Sequence, residues 1–341
     1  MLDRIELPLR LQSLPPRAAR FCLGVERFLR RDLGVDLEGA VVVAGFSGGP
    51  DSTALLLCLE CLAPRLGFSL AAAHLDHGLR PESAAEADQA ELLCSGLGIP
   101  CDSCAVDAAA LARERGVGIE EAGRELRYAF FAECLAGHPR AVLALGHTLD
   151  DLAEDQVMRL IRGAGWPGLG GMPAHDPGRS LLRPLLLTPK AAVLEFLDDL
   201  GAPFAADGSN QDPAFLRNRV RASILPLLRA ENPAYLEAAA GLWRLAQLDR
   251  EFLDGQVAAP VPDAAGRIVL PLAGLAALPP ALRLRLLKSC LERLGPGQPL
   301  LDGLLRLDAA VVAGAGGKVL PFPGRKTARL ENGAVVFCGP A

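Results

Sequence analysis

Ser47-Gly48-Gly49-Pro50-Asp51-Ser52 is the segment of this chain whose residue types are best suited to chemistry. Paired glycines let a backbone approach a polyphosphate closely, and exposed amides at a helix N-terminus stabilise its negative charge. The segment lacks the Gly-Lys-Ser/Thr ending of a Walker A loop, which argues against ordinary γ-phosphate transfer. A second cluster is His147-Thr148-Leu149-Asp150-Asp151-Leu152-Ala153-Glu154. His147, Asp151 and Glu154 fall near one helical face, with Asp150 and Glu154 spaced i, i+4. Several carboxylates beside a triphosphate can hold magnesium or a cationic amine. Arg217 and Arg221, also i, i+4, follow Asp207-Gly208-Ser209-Asn210 and could grip phosphates as forks. Glu120, Arg124 and Arg127, beside Tyr128, share one face at i, i+4, i+7. Taken by spacing alone, each cluster also fits a bland role: a capped helix start, a solvated acidic turn or an exposed salt-bridged stripe.

The elements needed to position these groups are legible around them. Ala40–Phe46 is a β-branched run ending at the glycine loop, and Ser52–Leu62 is rich in helix formers. The alternation continues: strand over Phe68–His74, helix over Ala84–Leu97, strand over Pro100–Val106, helix over Glu120–Ala136, strand over Ala141–Leu145, helix over Asp150–Arg162. Such a pattern predicts an α/β fold, an open, mostly parallel, doubly wound sheet with ligands at the carboxyl ends of its strands. Gly163–Gly171 is too glycine-rich for a regular element. Helices are expected over Lys190–Leu200 and Pro213–Arg229. Beyond Pro233 the pattern suggests a second, smaller, mainly helical domain, with a strand near Arg267–Leu272 and a small β element over Gly316–Phe337. The expected division is a catalytic domain over 1–212 and a helical linker with a C-terminal domain over 213–341.

The sequence SGGPDS resembles the signature of the N-type ATP pyrophosphatases, the PP-loop family, which cleave ATP between the α and β phosphates. Within that group the chain is similar to the tRNA(Ile)-lysidine synthetases. The likeness is carried by His147–Glu154, by Glu120-x-x-x-Arg124-x-x-Arg127-Tyr128, and by Asp207-x-Ser209-Asn210 followed by Arg217-Asn218-x-x-Arg221 and Pro226-Leu227-Leu228. Departures are Asp76 where the family carries Asn, Gly123 where it carries Ala, and Asp155 where it carries Thr. The resemblance implies ligation of free L-lysine to C2 of the wobble cytidine of a CAU-anticodon isoleucine tRNA, through an adenylated intermediate, with release of pyrophosphate and AMP. It implies ATP contacts by Ser47, Gly48, Gly49, Pro50, Asp51, Ser52, His74 and Arg124. Asp51, His147, Asp151 and Glu154 would be catalytic, with Mg2+ on Asp51 and Asp151. Asp150, Arg183, Asp207, Asn210, Arg217 and Arg221 would meet lysine or tRNA. The competing reading is a tRNA thiolase of the same group. A non-catalytic adenine-nucleotide sensor is a more distant one, giving no role to Asp207–Arg221.

Composition narrows the field. The 341 residues are 50% hydrophobic and 22% charged, which suits a folded enzyme of about two domains and excludes a disordered chain. The net charge of −5 provides no general attraction to nucleic acid, so tRNA contact requires local basic patches. Candidates are Arg244, Arg250, Arg283, Arg285, Lys288 and Arg293. Apolar runs are far shorter than the roughly 20 residues that span a bilayer, and no signal peptide pattern is present, so a cytoplasmic protein without membrane contact is expected. A homodimer is a candidate assembly. The nine cysteines read as reduced thiols. Cys58 and Cys61 fall in an apolar helical stretch, whereas Cys101 and Cys104, in a more polar segment, keep the thiolase reading open.

Overall fold

Val41–Gly45 forms β1, whose three central residues are buried, as a β-branched run sandwiched between helices requires. The computed structural model describes residues 9–76, 83–205, 215–258 and 260–340. In it β1 pairs in parallel with β2 (Ser69–Asp76) on one side and β4 (Ala141–Ala144) on the other. Beyond β2 lies parallel β3 (Cys101–Ala105); beyond β4 lie parallel β6 (Leu181–Leu182) and antiparallel β5 (His175–Asp176). The order is β3-β2-β1-β4-β6-β5, the open and mostly parallel sheet expected from the sequence. The chain crosses from one side of β1 to the other between β3 and β4. The crevice therefore opens at the carboxyl ends of β1 and β4.

Alternation along β1 assigns the two faces. Val42 and Ala44 enter the core built with α1 (Pro16–Arg27), α2 (Pro50–Leu66) and α7 (Lys190–Leu200). Val43 points the other way, onto Ala73, Leu143, Leu181 and Phe131 of α5 (Ile119–Ala136). The remaining helices of this half are α3 (Ser83–Leu97), α4 (Ala108–Arg115) and α6 (Leu149–Ile161). The sequence reading overlooked α4. Its alanine-rich turns carry a weak apolar pattern, yet Asp107 caps it by accepting the Ala110 amide at 2.8 Å.

The helix expected over Pro213–Arg229 is in its described part three pieces: α8 (Leu216–Arg219), one π turn over Val220–Ile224, and α9 (Leu225–Glu231). Pro226 has no N–H for the Ala222 carbonyl, so one α-type bond is missing where the turn widens. Next comes α10 (Tyr235–Gly255). Residues 1–163 with 170–243 form one compact unit, and 164–169 with 244–341 form a second. The division thus follows Trp243, whereas the sequence suggested 212/213. The reason is packing: Val220, Leu225 and Ala239 bury against Ala153 and Val157 of α6, and Trp243 packs with Leu149 and Leu152. The buried Gln156 amide donates to the carbonyls of Ala239 and Gly170 at 2.9 and 3.0 Å.

In the second unit, β7 (Ile268–Pro271), β8 (Lys318–Phe322), β9 (Lys326–Glu331) and β10 (Ala334–Cys338) form an antiparallel sheet of order β7-β10-β9-β8. With α11 (Leu272–Ala277), α12 (Pro280–Arg293) and α13 (Leu301–Val312) it encloses a core of Leu287, Leu291, Leu307, Leu330 and Phe337. Lys326 is fully buried and donates to the Gly295 and Gly297 carbonyls at 3.0 and 2.5 Å. Arg283 is buried as well, forked onto Asp308 and bonded to the Leu278 carbonyl at 2.8 Å. It holds this unit together and is withdrawn from the candidate RNA contacts. No helix among the described residues is long and apolar enough to cross a membrane.

Candidate active site

At the end of β1 the chain turns through Ser47–Gly49 into α2. Gly48 has φ +78°, a conformation that side-chain-bearing residues avoid. Ser52 Oγ braces the turn: it accepts the Ser47 amide at 3.1 Å and donates to the Gly49 carbonyl at 3.0 Å. Thr53 Oγ1 donates to the same carbonyl at 2.9 Å. Gly49, the N-cap of α2, has no side chain to satisfy the first amides, which leaves them for an anion. Gly146, at the end of β4, lies against the first turn of α2. A Cβ there would meet the Asp51 carbonyl oxygen at 2.9 Å. His74, 4% exposed, donates Nδ1–H to the Phe46 carbonyl at 2.9 Å. Its ring therefore ties the end of β2 to the start of the loop.

The acidic residues meet their partners across the crevice. Thr148 precedes α6 and donates both its amide and its hydroxyl to Asp151 Oδ2 at 2.9 Å, which fixes that carboxylate at the helix start. Arg217 bridges Asp151 Oδ1 at 2.8 Å and Glu154 Oε2 at 2.7 Å, and Arg221 donates to Glu154 Oε1 at 2.6 Å. Glu154 is 2% exposed, so three charge-assisted bonds from these two arginines offset its desolvation. Burial pushes the Asp151 carboxyl up, but Arg217, the Thr148 amide and His147 together outweigh it, and the group is held below the usual range. Asp51 faces Lys190, with Nζ 2.6 Å from Oδ1. There burial wins: the Asp51 carboxyl is pushed up despite Lys190.

Asp150, although spaced i, i+4 from Glu154, has different partners from it. It accepts the Lys190 amide at 2.8 Å, capping α7, and pairs with Arg229. His147 Nδ1 accepts Nε–H from the buried Arg183 at 3.1 Å, while Arg183 also donates to the Pro173 carbonyl. Burial, and then the Arg183 charge, lower the imidazole to about 4, so the ring is neutral with its proton on Nε2. Nε2–H is then its remaining donor. Arg124 lies on the α5 side, its guanidinium 5.3 Å from the centre of the Tyr128 ring.

Asp207 and Asn210, like His77 and Arg80 near His74, lie outside the described residues. Their neighbour Ala205 donates its amide to the Gly48 carbonyl at 2.9 Å. The sequence reading missed Lys190, Thr148 and Arg229. Two of these carried a signal: Thr148-x-x-Asp151 is a capping-box spacing, and a lysine on the first turn of a helix opposes the dipole unless a carboxylate faces it.

The cysteines separate from this chemistry. Cys58 and Cys61 are buried with Cys22, where mutual hydrogen bonding and burial push the Cys22 and Cys61 thiols up. Cys101 and Cys104 are three apart on β3 and so point to opposite faces. Among the described residues no group of three His, Cys, Asp or Glu side chains is placed to hold a metal.

Comparison with known proteins fits this geometry. Residues 25–228 match the PP-loop domain. A tRNA(Ile)-lysidine synthase of Nitratidesulfovibrio vulgaris is 47% identical over 90% of this chain and 94% of its own length. Another, of Thermobifida fusca, is 36% identical over 94% and 98%. A third, of Geobacillus kaustophilus, is 36% identical over 77% of this chain, which spans 58% of that longer relative. Among solved structures, the U34-tRNA thiolase NcsA of Methanococcus maripaludis, with its [4Fe-4S] cluster, superposes with a TM-score of 0.57 over 68% of this chain and 80% of its own. At 20% identity that likeness concerns the fold alone, and the thiolase reading is not favoured. The chain belongs to the PP-loop family and, within it, to the tRNA(Ile)-lysidine synthases.

Proposed function

We propose that the protein uses ATP and free lysine to convert the wobble cytidine of a CAU-anticodon isoleucine tRNA to lysidine. The observation that carries this reading is the pairing, at the carboxyl ends of β1 and β4, of an anion-receptive loop with carboxylates that already hold cations. The nearest atom to a Cβ built at Gly49 is Ser47 Oγ at 3.6 Å, so the loop has an uncovered face for the phosphates of ATP. The C2 oxygen of cytidine attacks the α-phosphorus, the bond to the bridging oxygen breaks, and pyrophosphate leaves. The ε-amine of lysine, neutral after losing a proton, then attacks C2 and AMP departs.

The chain's own residues have distinct parts in this scheme. Asp51 and Asp151 feel each other's charge and are the side chains that would hold Mg2+ against the phosphates, since Mg2+ needs only one or two carboxylates beside its phosphate ligands. When bound, the ion would neutralise charge on the leaving pyrophosphate. Lys190, freed from Asp51, supplies a second cation there. Asp151 and Glu154, now occupied by Arg217 and Arg221, offer the oxygens that would orient the lysine ammonium before it loses its proton. His147, a neutral donor fixed by Arg183, hydrogen-bonds an oxygen of the nucleotide or the cytidine.

The second unit supplies tRNA affinity through exposed arginines such as Arg244 and Arg293, so binding should weaken steeply with salt. A protein with these substrates acts in the cytoplasm. The test is nucleoside analysis of an isoleucine tRNA transcript incubated with the pure protein, ATP and lysine. Lysidine, with lysine-dependent AMP release, is the expected result; absence of both overturns the reading.

A further inference from the structure

A groove of about 430 Å³ runs beside α5, walled by Tyr128, Phe131 and Leu135 with Leu143 of β4, and rimmed by Arg124 and Arg179. Of the residues that the resemblance assigns to the reactants, Arg124 alone is among those that line it. Its floor is apolar and aromatic. Tyr128 stands edge-on to Phe131, with ring centres 6.5 Å apart, which fixes the ring, and Arg124 covers part of it. Both rim groups are cationic, and Arg179 meets Asp176 at 3.8 Å, too long for a strong fork. Arg179 is 66% exposed, so its guanidinium is accessible to a ligand. The groove adjoins the crevice: Phe131 of its wall reaches Gly45, two residues before the phosphate loop, where a Cβ would meet its Cζ at 3.2 Å.

We propose that this groove receives an unpaired nucleotide flanking the reacting cytidine, its base on Tyr128 and its phosphate between Arg124 and Arg179. The inference rests on the tRNA reading above and deepens it. An aromatic floor beneath two guanidinium groups matches a base face joined to a phosphate. The volume lies within the range of small-ligand sites. An anticodon loop whose cytidine enters the crevice must also house the neighbours of that cytidine, which are covalently joined to it and stripped of stacking partners. The ε-ammonium of lysine would be repelled by the rim, and ATP has its own loop.

The test uses the full chain and an anticodon stem-loop RNA carrying 2-aminopurine on either side of the wobble cytidine. Binding to the parent protein should quench one of the two probes. Arg179→Ala and Tyr128→Leu should each weaken RNA binding by about tenfold and abolish that quenching. Tyr128→Phe should restore both, because it keeps the ring. The Kd for ATP and the KM for lysine should not move. A rise in lysine KM with unchanged RNA affinity would give the groove to the lysine carboxylate and overturn the proposal. So would RNA binding that none of the variants alters. Arg179→Ala lies on the surface, so a folding failure of Tyr128→Leu leaves the test intact. If the parent protein forms no lysidine in this RNA, the functional reading fails; if it does and the variants behave as parent, only the groove assignment fails.

Discussion

Lys190 Nζ lies 2.6 Å from Asp51 Oδ1, so the first residue of α7 neutralises the second residue of α2. The Lys190 amide is in turn held by Asp150. One lysine therefore joins the phosphate loop to the acidic start of α6. Asp51→Ala is expected to abolish pyrophosphate release while the far-ultraviolet dichroism stays unchanged. Lys190→Met should slow that release by about 10²-fold, the loss typical of removing one charge-stabilising donor. Lys190→Arg should recover part of it. Full rates in Lys190→Met would remove the lysine from the reaction.

Glu154 accepts from both Arg217 and Arg221, whereas Arg221 is itself 54% exposed. The two partners should respond unequally. Glu154→Gln leaves two guanidinium groups short of a counter-charge and is expected to cost about 2 kcal/mol of stability. Arg221→Ala frees a surface side chain and should cost under about 1 kcal/mol. Urea unfolding of both variants measures the difference. Lysine KM should rise in Glu154→Gln.

His147 titrates near 4 in the folded protein against an ordinary 6.5. The unfolded chain thus binds the proton more readily than the folded one between those values. The contribution of this residue to stability is complete above pH 6.5 and is lost as the pH falls toward 4. His147→Gln cannot charge and should flatten that part of the profile. Denaturation midpoints at pH 7 and pH 5 should draw closer together in the variant than in the parent; an unchanged gap would show that the ring is not buried as a neutral base.

Gly146→Ala places a methyl 2.9 Å from the Asp51 carbonyl oxygen and should push the first turn of α2 away from β4. A rise in KM for ATP and a lower melting temperature are expected. Gly49→Ala, whose nearest contact is 3.6 Å at an ordinary backbone angle, should leave the melting temperature nearly unchanged. Equal melting temperatures for the two variants would contradict the close approach.

How far the sequence disclosed this arrangement follows from the range over which each signal acts. The glycine loop, the buried runs of β1, β2 and β4, and the helix start at Thr148 are local, and their pattern is visible within a dozen residues. The pairing of Arg217 and Arg221 with Glu154 was not, since the residues are more than sixty positions apart and spacing showed only that the arginines share a face. Asp150 misled for the same reason: i, i+4 geometry placed it beside Glu154, but the approach of α7 and Arg229 decided its partners. Lys190 and Arg183 acquire meaning only when β6 pairs with β4 and α7 packs on α2. The unit boundary moved to Trp243 because apolar residues after 213 find their burial on α6.

In the second unit Lys326 donates to two glycine carbonyls from a fully buried position. Lys326→Met keeps the bulk and removes both donors, and should cost about 1–3 kcal/mol. Differential scanning calorimetry should show a lowered transition, and pyrophosphate release from ATP by the surviving folded protein should be unaffected at low temperature.

The π turn at Val220–Ile224 sets the phase of everything after it. At about 100° per residue, an unbroken α-helix would turn Arg229 by about 120° from Arg217. Absorbing one extra residue brings that offset down to about 20°, so guanidinium groups three turns apart can both reach α6. Straightening this turn into regular α-helix with every residue kept would rotate Arg229 off Asp150 while leaving Arg217 in place, splitting a three-arginine clamp by azimuth rather than by charge, whereas deleting one residue would remove the widening and keep the phase.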